Sequence, residues 1–170
     1  MIKRDILENQ VRSIYLGIGS NLGNKKKNIV KAKFELSENN IKILQSSNYY
    51  ESISWPNPKN PKFLNIVIEI KTYFKPLELL NICKKIEKKL GRKKSVRNSP
   101  RTCDIDILDY NNKSFNNDIT LPHPRMHKRN FVLLPLFEVN KDWVHPVSKN
   151  HIKRLILSLT NRDIRSIRQI

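Results

Sequence analysis

The sequence predicts an α+β fold in which strands and helices follow the order βαββαβ, and three observations predict it. Period-two apolar patterns mark four strands, over Val11 to Gly19, Ile41 to Glu51, Phe63 to Thr72, and from Thr102 onward. Two other segments, Lys25 to Glu38 and Pro76 to Leu90, carry their apolar residues at helical spacing. The helices follow the first and third strands. That is the ferredoxin-like split βαβ arrangement, an antiparallel sheet with helices on one face. Additional helices are expected at the C-terminus. The face left open by the two main helices is the natural place for a site.

Each element has a local reason. In the first strand Ile14, Leu16 and Ile18 alternate with Tyr15 and Gly17. The strand runs into Gly19-Ser20-Asn21-Leu22-Gly23-Asn24, a turn signal in which Asn24 suits the N-cap of the next helix. That helix sets Ile29, Ala32 and Leu36 on one stripe and lysines opposite, and Asn39-Asn40 ends it. Three prolines in Ser54-Trp55-Pro56-Asn57-Pro58-Lys59-Asn60-Pro61 exclude helix and central strand, so this is a surface loop. Trp55 there is either a packing anchor or a flat lid for a ring. Phe63 to Thr72 is strongly β-prone, and Asn65 near its start needs hydrogen-bond partners if buried.

Pro76 opens the second helix at the position where proline is preferred. Leu79, Cys83, Ile86 and Leu90 form its stripe, and Gly91 is a suitable residue just beyond its end. Glu87 reads plainly as a surface acid paired with Lys84 or Lys88. Asn111-Asn112-Lys113 is a hairpin-like turn. Asn130 to Val139 is a short apolar helix containing Pro135, and a last helix is expected from Asn150 to Leu159.

Length and composition bound the rest. For 170 residues one domain is the prior, spanning 1–170, with 1–10 and 161–170 peripheral. No apolar run reaches the length of a membrane span, and no signal peptide is expected. Two cysteines far apart suggest reduced thiols in a cytoplasm. Without C-x-x-C, a zinc site is not expected despite His123 and His127. A net charge of +18 fits a nucleic-acid binder or an enzyme for polyanionic small substrates.

The segment that separates these two runs from Arg97 to Leu108. Period two puts Cys103, Ile105 and Ile107 on one side of a strand and Asp104 and Asp106 on the other. Residues two apart in a strand lie roughly 6.5 to 7 Å apart. Two carboxylates at roughly 6 Å repel by about 3 kcal/mol at an effective dielectric near 20. A cation between them removes that cost, and hard paired oxygens suit Mg²⁺. The alternative is a solvated sheet face. Arg97 and Arg101 bracket a proline just upstream, and arginine offers a rigid fork to phosphate oxygens. Carboxylates and arginines in one short segment point to a Mg²⁺-nucleotide site. The run Lys88 to Arg101 repels itself and is expected to be mobile without a bound anion. A His flanked by Pro122 and Pro124 is more often structural than catalytic, but the basic neighbours of His123 make it a phosphate candidate.

Together these residues resemble the 6-hydroxymethyl-7,8-dihydropterin pyrophosphokinase family over roughly Ile14 to Val147. The resemblance rests on Gly19-Ser20-Asn21-Leu22-Gly23, Phe63-Leu64-Asn65, Glu87 ahead of Gly91-Arg92, and Pro100-Arg101-Thr102-Cys103-Asp104-Ile105-Asp106. Leu121-Pro122-His123-Pro124-Arg125-Met126 and Pro135-Leu136-Phe137-Glu138 complete it. It implies transfer of the β,γ-diphosphate of ATP to the pterin hydroxymethyl group, with release of AMP. It implies two Mg²⁺ ions on Asp104 and Asp106, phosphate contacts from Arg92, Arg97, Arg101, His123 and Arg129, and nucleotide contacts from Lys84, Glu87, Ile107 and Thr120. Phe63 and Phe131 are implied to sandwich the pterin, with Asn65 and the Ser52–Ile53 backbone at its hydrogen-bonding edge and Trp55 nearby. The chain departs from many relatives at Asn98, Ser99 and a basic loop one residue shorter. The implied partners are the two small substrates, with no nucleic acid or membrane, and the expected state is a cytoplasmic monomer. An RNA-binding module is the competing reading, but its central strand would carry Asp104 and Asp106, which repel phosphates.

Overall fold

The structure, a computed structural model, describes residues 13–93, 96 and 98–170. Its centre is strand β1 (Ile14–Ser20), paired on one side with β4 (Phe63–Lys71) and on the other with β5 (Asp104–Tyr110). Beyond β4 lie β2 (Lys42–Ser46) and β3 (Tyr50–Ser52), and β3 pairs in turn with β8 (Ile167–Gln169). Every pairing is antiparallel. A small hairpin of β6 (Phe115–Asn116) and β7 (Thr120–Leu121) follows β5.

The alternation places Ile14, Leu16 and Ile18 beside Ile66, Ile68, Ile70, Ile105 and Ile107 on one face. Helices α1 (Lys25–Glu38) and α2 (Pro76–Lys89) cover this face with Ile29, Ala32, Leu36, Leu79, Cys83 and Ile86. Each fully buried Ile or Leu among them contributes about 1.5–3 kcal/mol. Asn24 caps α1 as expected, its side chain accepting from the Lys27 N–H at 3.0 Å. Cys83 and Cys103 are free and buried in this core, and burial pushes both thiols up to about 12.

The other face is not open along its whole length. Helices α3 (Asn130–Val139) and α4 (Ile152–Leu157) pack there on Tyr15, Val67 and Leu108. A bulge in β5 adds a second residue of that strand to this face. Leu16 pairs with Ile107 but Tyr15 pairs with Asp109, so Leu108 is an extra residue. Leu108 packs into this second core, and Asp109 turns to the same side and accepts from Trp143 Nε1 at 2.8 Å. Only the end of the sheet carrying Asp104 and Asp106 stays uncovered by α3.

Two local expectations change. The strand expected over Ile41 to Glu51 breaks into β2 and β3. At the break the Ser47 hydroxyl accepts from Val67 N–H, standing in for a strand carbonyl, while Glu138 captures the Asn48 backbone and side-chain amides. The last helix starts at Ile152, with His151 as its cap. Residues 161–170, expected at the periphery, form α5 (Asn161–Arg165) and edge strand β8, with none of them buried. A Thr160–Asp163 capping box starts α5, and the otherwise unpaired edge of β3 supplies partners for β8.

Candidate active site

The site is built on a floor without side chains. On β1 the residues facing away from α1 and α2 are Tyr15, Gly17 and Gly19. Gly17 lies between Val67 and Asp106, and Gly19 between Asn65 and Asp104. The two glycines therefore leave a bare strip of backbone between the carboxylates of β5 and the Phe63–Asn65 end of β4. A Cβ at Gly19 would lie 3.0 Å from Asn65 Oδ1 and 3.5 Å from the Phe63 ring.

On the β5 side, Asp104 receives two arginines, Arg92 on Oδ1 and Arg101 on Oδ2. Burial pushes its carboxyl up, but Arg101 and Arg92 outweigh that and hold it below the usual carboxylate range. Glu87, read plainly as a surface acid, is 2 % exposed. Its oxygens accept from Ile105 N–H at 2.7 Å and pair with Arg92 at 2.7 Å and Lys84 at 3.0 Å. Glu87 thus pins the end of α2 to β5 and aims Arg92 at Asp104. Helical geometry explains the correction: Glu87 follows Cys83 by one turn and turns inward with it.

Asp106 lies 3.5 Å from Arg129 and 3.8 Å from His123 Nε2. Burial pushes the His123 pKa down, and the nearby Arg129 and Arg125 charges oppose the raising effect of Asp106. The Arg125 backbone N–H donates to His123 Nδ1 at 3.2 Å. In the neutral ring the proton therefore sits on Nε2, facing the site. The proline-flanked histidine is a pre-oriented donor.

On the β4 side, Phe63 lies under the Arg101 guanidinium at 5.0 Å, and Phe131 under that of Arg129 at 5.4 Å. Asn65 is buried, and its amide donates to Ser52 Oγ at 2.9 Å. This leaves Oδ1 turned toward the bare strip. Ile53 and Trp55 are exposed, Trp55 at 70 %. Trp55 is thus no packing anchor here.

The structure brings together Arg92, Arg101, Asp104, Asp106, Glu87, Lys84, His123 and Arg129 on one side of the strip, and Phe63, Asn65 and Ser52 on the other. Phe131 stands at the rim, packed against the second core. The Ile107 side chain points into the core under α1 and α2, so only its backbone, at the outer edge of β5, is available to a ligand. Thr120 is exposed on β7. Arg97 lies outside the described residues. Sequence reasoning missed the roles of Gly17, Gly19 and Asn21. The glycines were signalled by falling on the same period-two face as Tyr15. Asn21, 2 % exposed, joins the loops before Phe63 and Asp104.

The donor set has a clear chemical character. Among the described residues no group of three His, Cys, Asp or Glu side chains converges as a metal cage. Two hard carboxylates surrounded by cations instead fit Mg²⁺ shared with phosphate oxygens, since Mg²⁺ is usually held by one or two carboxylates plus substrate phosphates and water. Arg101 Nε is buried and has no hydrogen-bond partner among the described residues. An unpaired buried guanidinium N–H is costly, and an anion would satisfy it.

Comparison with known proteins adds independent information. The family model for 7,8-dihydro-6-hydroxymethylpterin-pyrophosphokinase matches residues 15–141. The 2-amino-4-hydroxy-6-hydroxymethyldihydropteridine pyrophosphokinase of Aquifex aeolicus (strain VF5) is 39% identical over 142 residues, which cover 83% of this chain and 88% of that protein. The folic acid synthesis protein fol1 of Pneumocystis carinii is 38% identical over 156 residues, 91% of this chain but 21% of that protein. The chain therefore spans about a fifth of the fungal protein. The wild-type HPPK-DHPS crystal structure of Plasmodium falciparum shares the fold, with a TM-score of 0.72 and 17% identity over 96% of this chain and 45% of the Plasmodium chain.

Proposed function

Because the chain belongs to the 7,8-dihydro-6-hydroxymethylpterin-pyrophosphokinase family, we infer that it transfers the β,γ-diphosphate of ATP to 6-hydroxymethyl-7,8-dihydropterin in folate synthesis. The hydroxymethyl oxygen attacks the β-phosphorus. The bond from that phosphorus to the oxygen bridging the α-phosphorus breaks, AMP leaves with that oxygen, and the hydroxyl proton is lost. The observation that most supports this reading is the bare Gly17–Gly19 strip, with a carboxylate–arginine cluster on one side and Phe63 and Asn65 on the other. A triphosphate and a flat heterocycle need two such half-sites meeting over open backbone.

In this reading Asp104 and Asp106 would hold two Mg²⁺ ions. Bound Mg²⁺ supplies Lewis-acid stabilisation of the phosphate charge. Arg92 and Arg101 bind phosphate oxygens, and Arg101, seated over Phe63, borders both substrates. His123 donates from Nε2 to a phosphate oxygen, and Arg129 adds charge beside it. Asn65 accepts a ring N–H of the pterin through Oδ1, and Phe63 and Phe131 stack on its faces. The outer-edge peptide groups of β5 at Ile107 meet the nucleotide base. All these residues come from one chain, which fits a monomer, and reliance on ATP fits a cytoplasmic enzyme. No helix among the described residues is long and apolar enough to cross a membrane.

The test is an AMP-release assay with ATP, Mg²⁺ and the hydroxymethyl-dihydropterin. AMP and the pterin diphosphate should form in equal amounts. Release of ADP, or nucleotide cleavage independent of pterin, overturns the reading.

A further inference from the structure

We propose that the C-terminal segment, residues 160–170, is a strut that sets the spacing of the pterin-binding walls, with Asn130 and Ser166 as its positioning residues. The proposal rests on the pterin reading of the pocket and adds a role that the site residues do not reveal.

One end of the strut engages the helix start that carries Arg129 and Phe131. Asn130 lies between them in sequence and is 8 % exposed. Its side-chain N–H₂ donates to the Asp163 carbonyl at 2.6 Å and to Ser166 Oγ at 2.9 Å. Its Oδ1 accepts from the Phe131 N–H at 2.7 Å. One carboxamide therefore ties the backbone of the rim aromatic to the C-terminal segment. Ser166 is drawn into the same knot, its hydroxyl donating to the Asp163 carbonyl at 2.8 Å.

The other end engages the strand that carries Ser52. Immediately after Ser166, β8 pairs with β3 in the register Ile167 to Ser52, Arg168 to Glu51 and Gln169 to Tyr50. The Ser166 carbonyl accepts from the Ile53 N–H at 3.3 Å. Glu51 links the strut to the aromatic wall as well. It pairs with Arg168 at 3.1 Å and with Lys62, the residue before Phe63, at 3.1 Å.

Ser166 is thus shared by both walls, through its hydroxyl to Asn130 and through its carbonyl to Ile53. Asn130 and Ile53, far apart in the chain, are thereby joined through one residue of this segment. Among the described residues the carboxylate–arginine cluster is held differently: Arg92, Arg101 and Asp104 are fixed by α2, β5 and the Asn21 turn. The strut reaches the phosphate side only through Arg129, the neighbour of Asn130, and reaches the pterin side through both Phe131 and Ile53, so it should govern the pterin far more than ATP.

The experiment compares full-length wild type with Asn130→Ala, Ser166→Ala and Ser166→Thr. Steady-state KM is measured for each substrate, together with calorimetric titration of the pterin and a melting curve. Asn130→Ala and Ser166→Ala should raise the pterin KM roughly fivefold to twentyfold, with the ATP KM within about twofold. Ser166→Thr keeps the hydroxyl and should stay near wild type. Equal rises in both KM values would make the segment merely structural and overturn the proposal, as would an unchanged pterin KM in folded Asn130→Ala and Ser166→Ala. A wild-type chain that does not bind the pterin overturns the function reading and this proposal together. Pterin binding by wild type with unaffected variants overturns this proposal alone.

Discussion

Asn21 and Arg101 hold each other in both directions. The Arg101 backbone N–H donates to Asn21 Oδ1 at 2.8 Å, and the Asn21 backbone N–H donates to the Arg101 carbonyl at 3.1 Å. The Asn21 side-chain amide then donates to the Pro61 carbonyl at 3.1 Å. One buried carboxamide thus joins the turn after β1, the lead into Asp104 and the proline loop before Phe63.

Asn21→Ala should accordingly affect both half-sites. It leaves the Arg101 N–H without its partner, at about 1–3 kcal/mol, while the Pro61 carbonyl still accepts from the Ser54 hydroxyl. Denaturant unfolding should show a fall of about 1–3 kcal/mol, and the KM values for ATP and pterin should rise together. A rise for only one substrate would mean that the turn serves one loop alone.

Asp104 and Asp106 are expected to be indispensable to turnover. Asp104→Ala and Asp106→Ala should each lower kcat by several orders of magnitude while circular dichroism stays native. Mg²⁺-dependent binding of an inert ATP analogue, followed by calorimetry, should weaken as well. Near-normal turnover in either variant would remove that carboxylate from the metal assignment.

Phe131→Ala should weaken pterin binding by roughly 1–3 kcal/mol through lost stacking and apolar burial. ATP affinity should move much less. Equal calorimetric losses for both ligands would place Phe131 with the second core rather than with the pocket.

Gly19→Ala tests the bare floor. The added methyl would lie 3.0 Å from Asn65 Oδ1 and force that side chain to shift. The pterin KM should rise roughly threefold to tenfold, corresponding to up to about 1.4 kcal/mol, with little change in melting temperature. An unchanged pterin KM would mean that Asn65 does not hold the ligand from that position.

Asp109 predicts a pH dependence of stability. Its burial raises the carboxyl from 3.8 to about 6. Between those values the folded state binds more protons than the unfolded chain, so stability falls as pH rises through this window and levels off above it. Two pKa units correspond to about 3 kcal/mol. Asp109→Asn can still accept from Trp143 Nε1 and should flatten the slope between pH 4 and 6. A wild-type slope retained in the variant would assign the effect to other groups.

Much of this molecule was legible from the chain alone, because the deciding interactions are local. Cap chemistry and apolar spacing bound α1 at Lys25 and Glu38 and α3 at Asn130 and Val139, where the structure has them. Period two alone put Asp104 and Asp106 together on one face with Ile105 and Ile107 opposite, and the fold keeps that division. Family resemblance raised Glu87 and His123 from bland readings to candidate site residues, and the structure sets one buried against β5 and the other with its Nδ1 accepting from the Arg125 N–H. Tertiary structure alone decided what depends on distant pairing. Gly17 and Gly19 become a floor only because strand register sets them between β4 and β5. Asn21 finds Arg101 across eighty positions, and Ser166 finds both Asn130 and Ile53 only once β8 has docked on β3. Such contacts depend on register and on which edge remains unpaired, and both are set by the packing of the whole sheet rather than by any one segment.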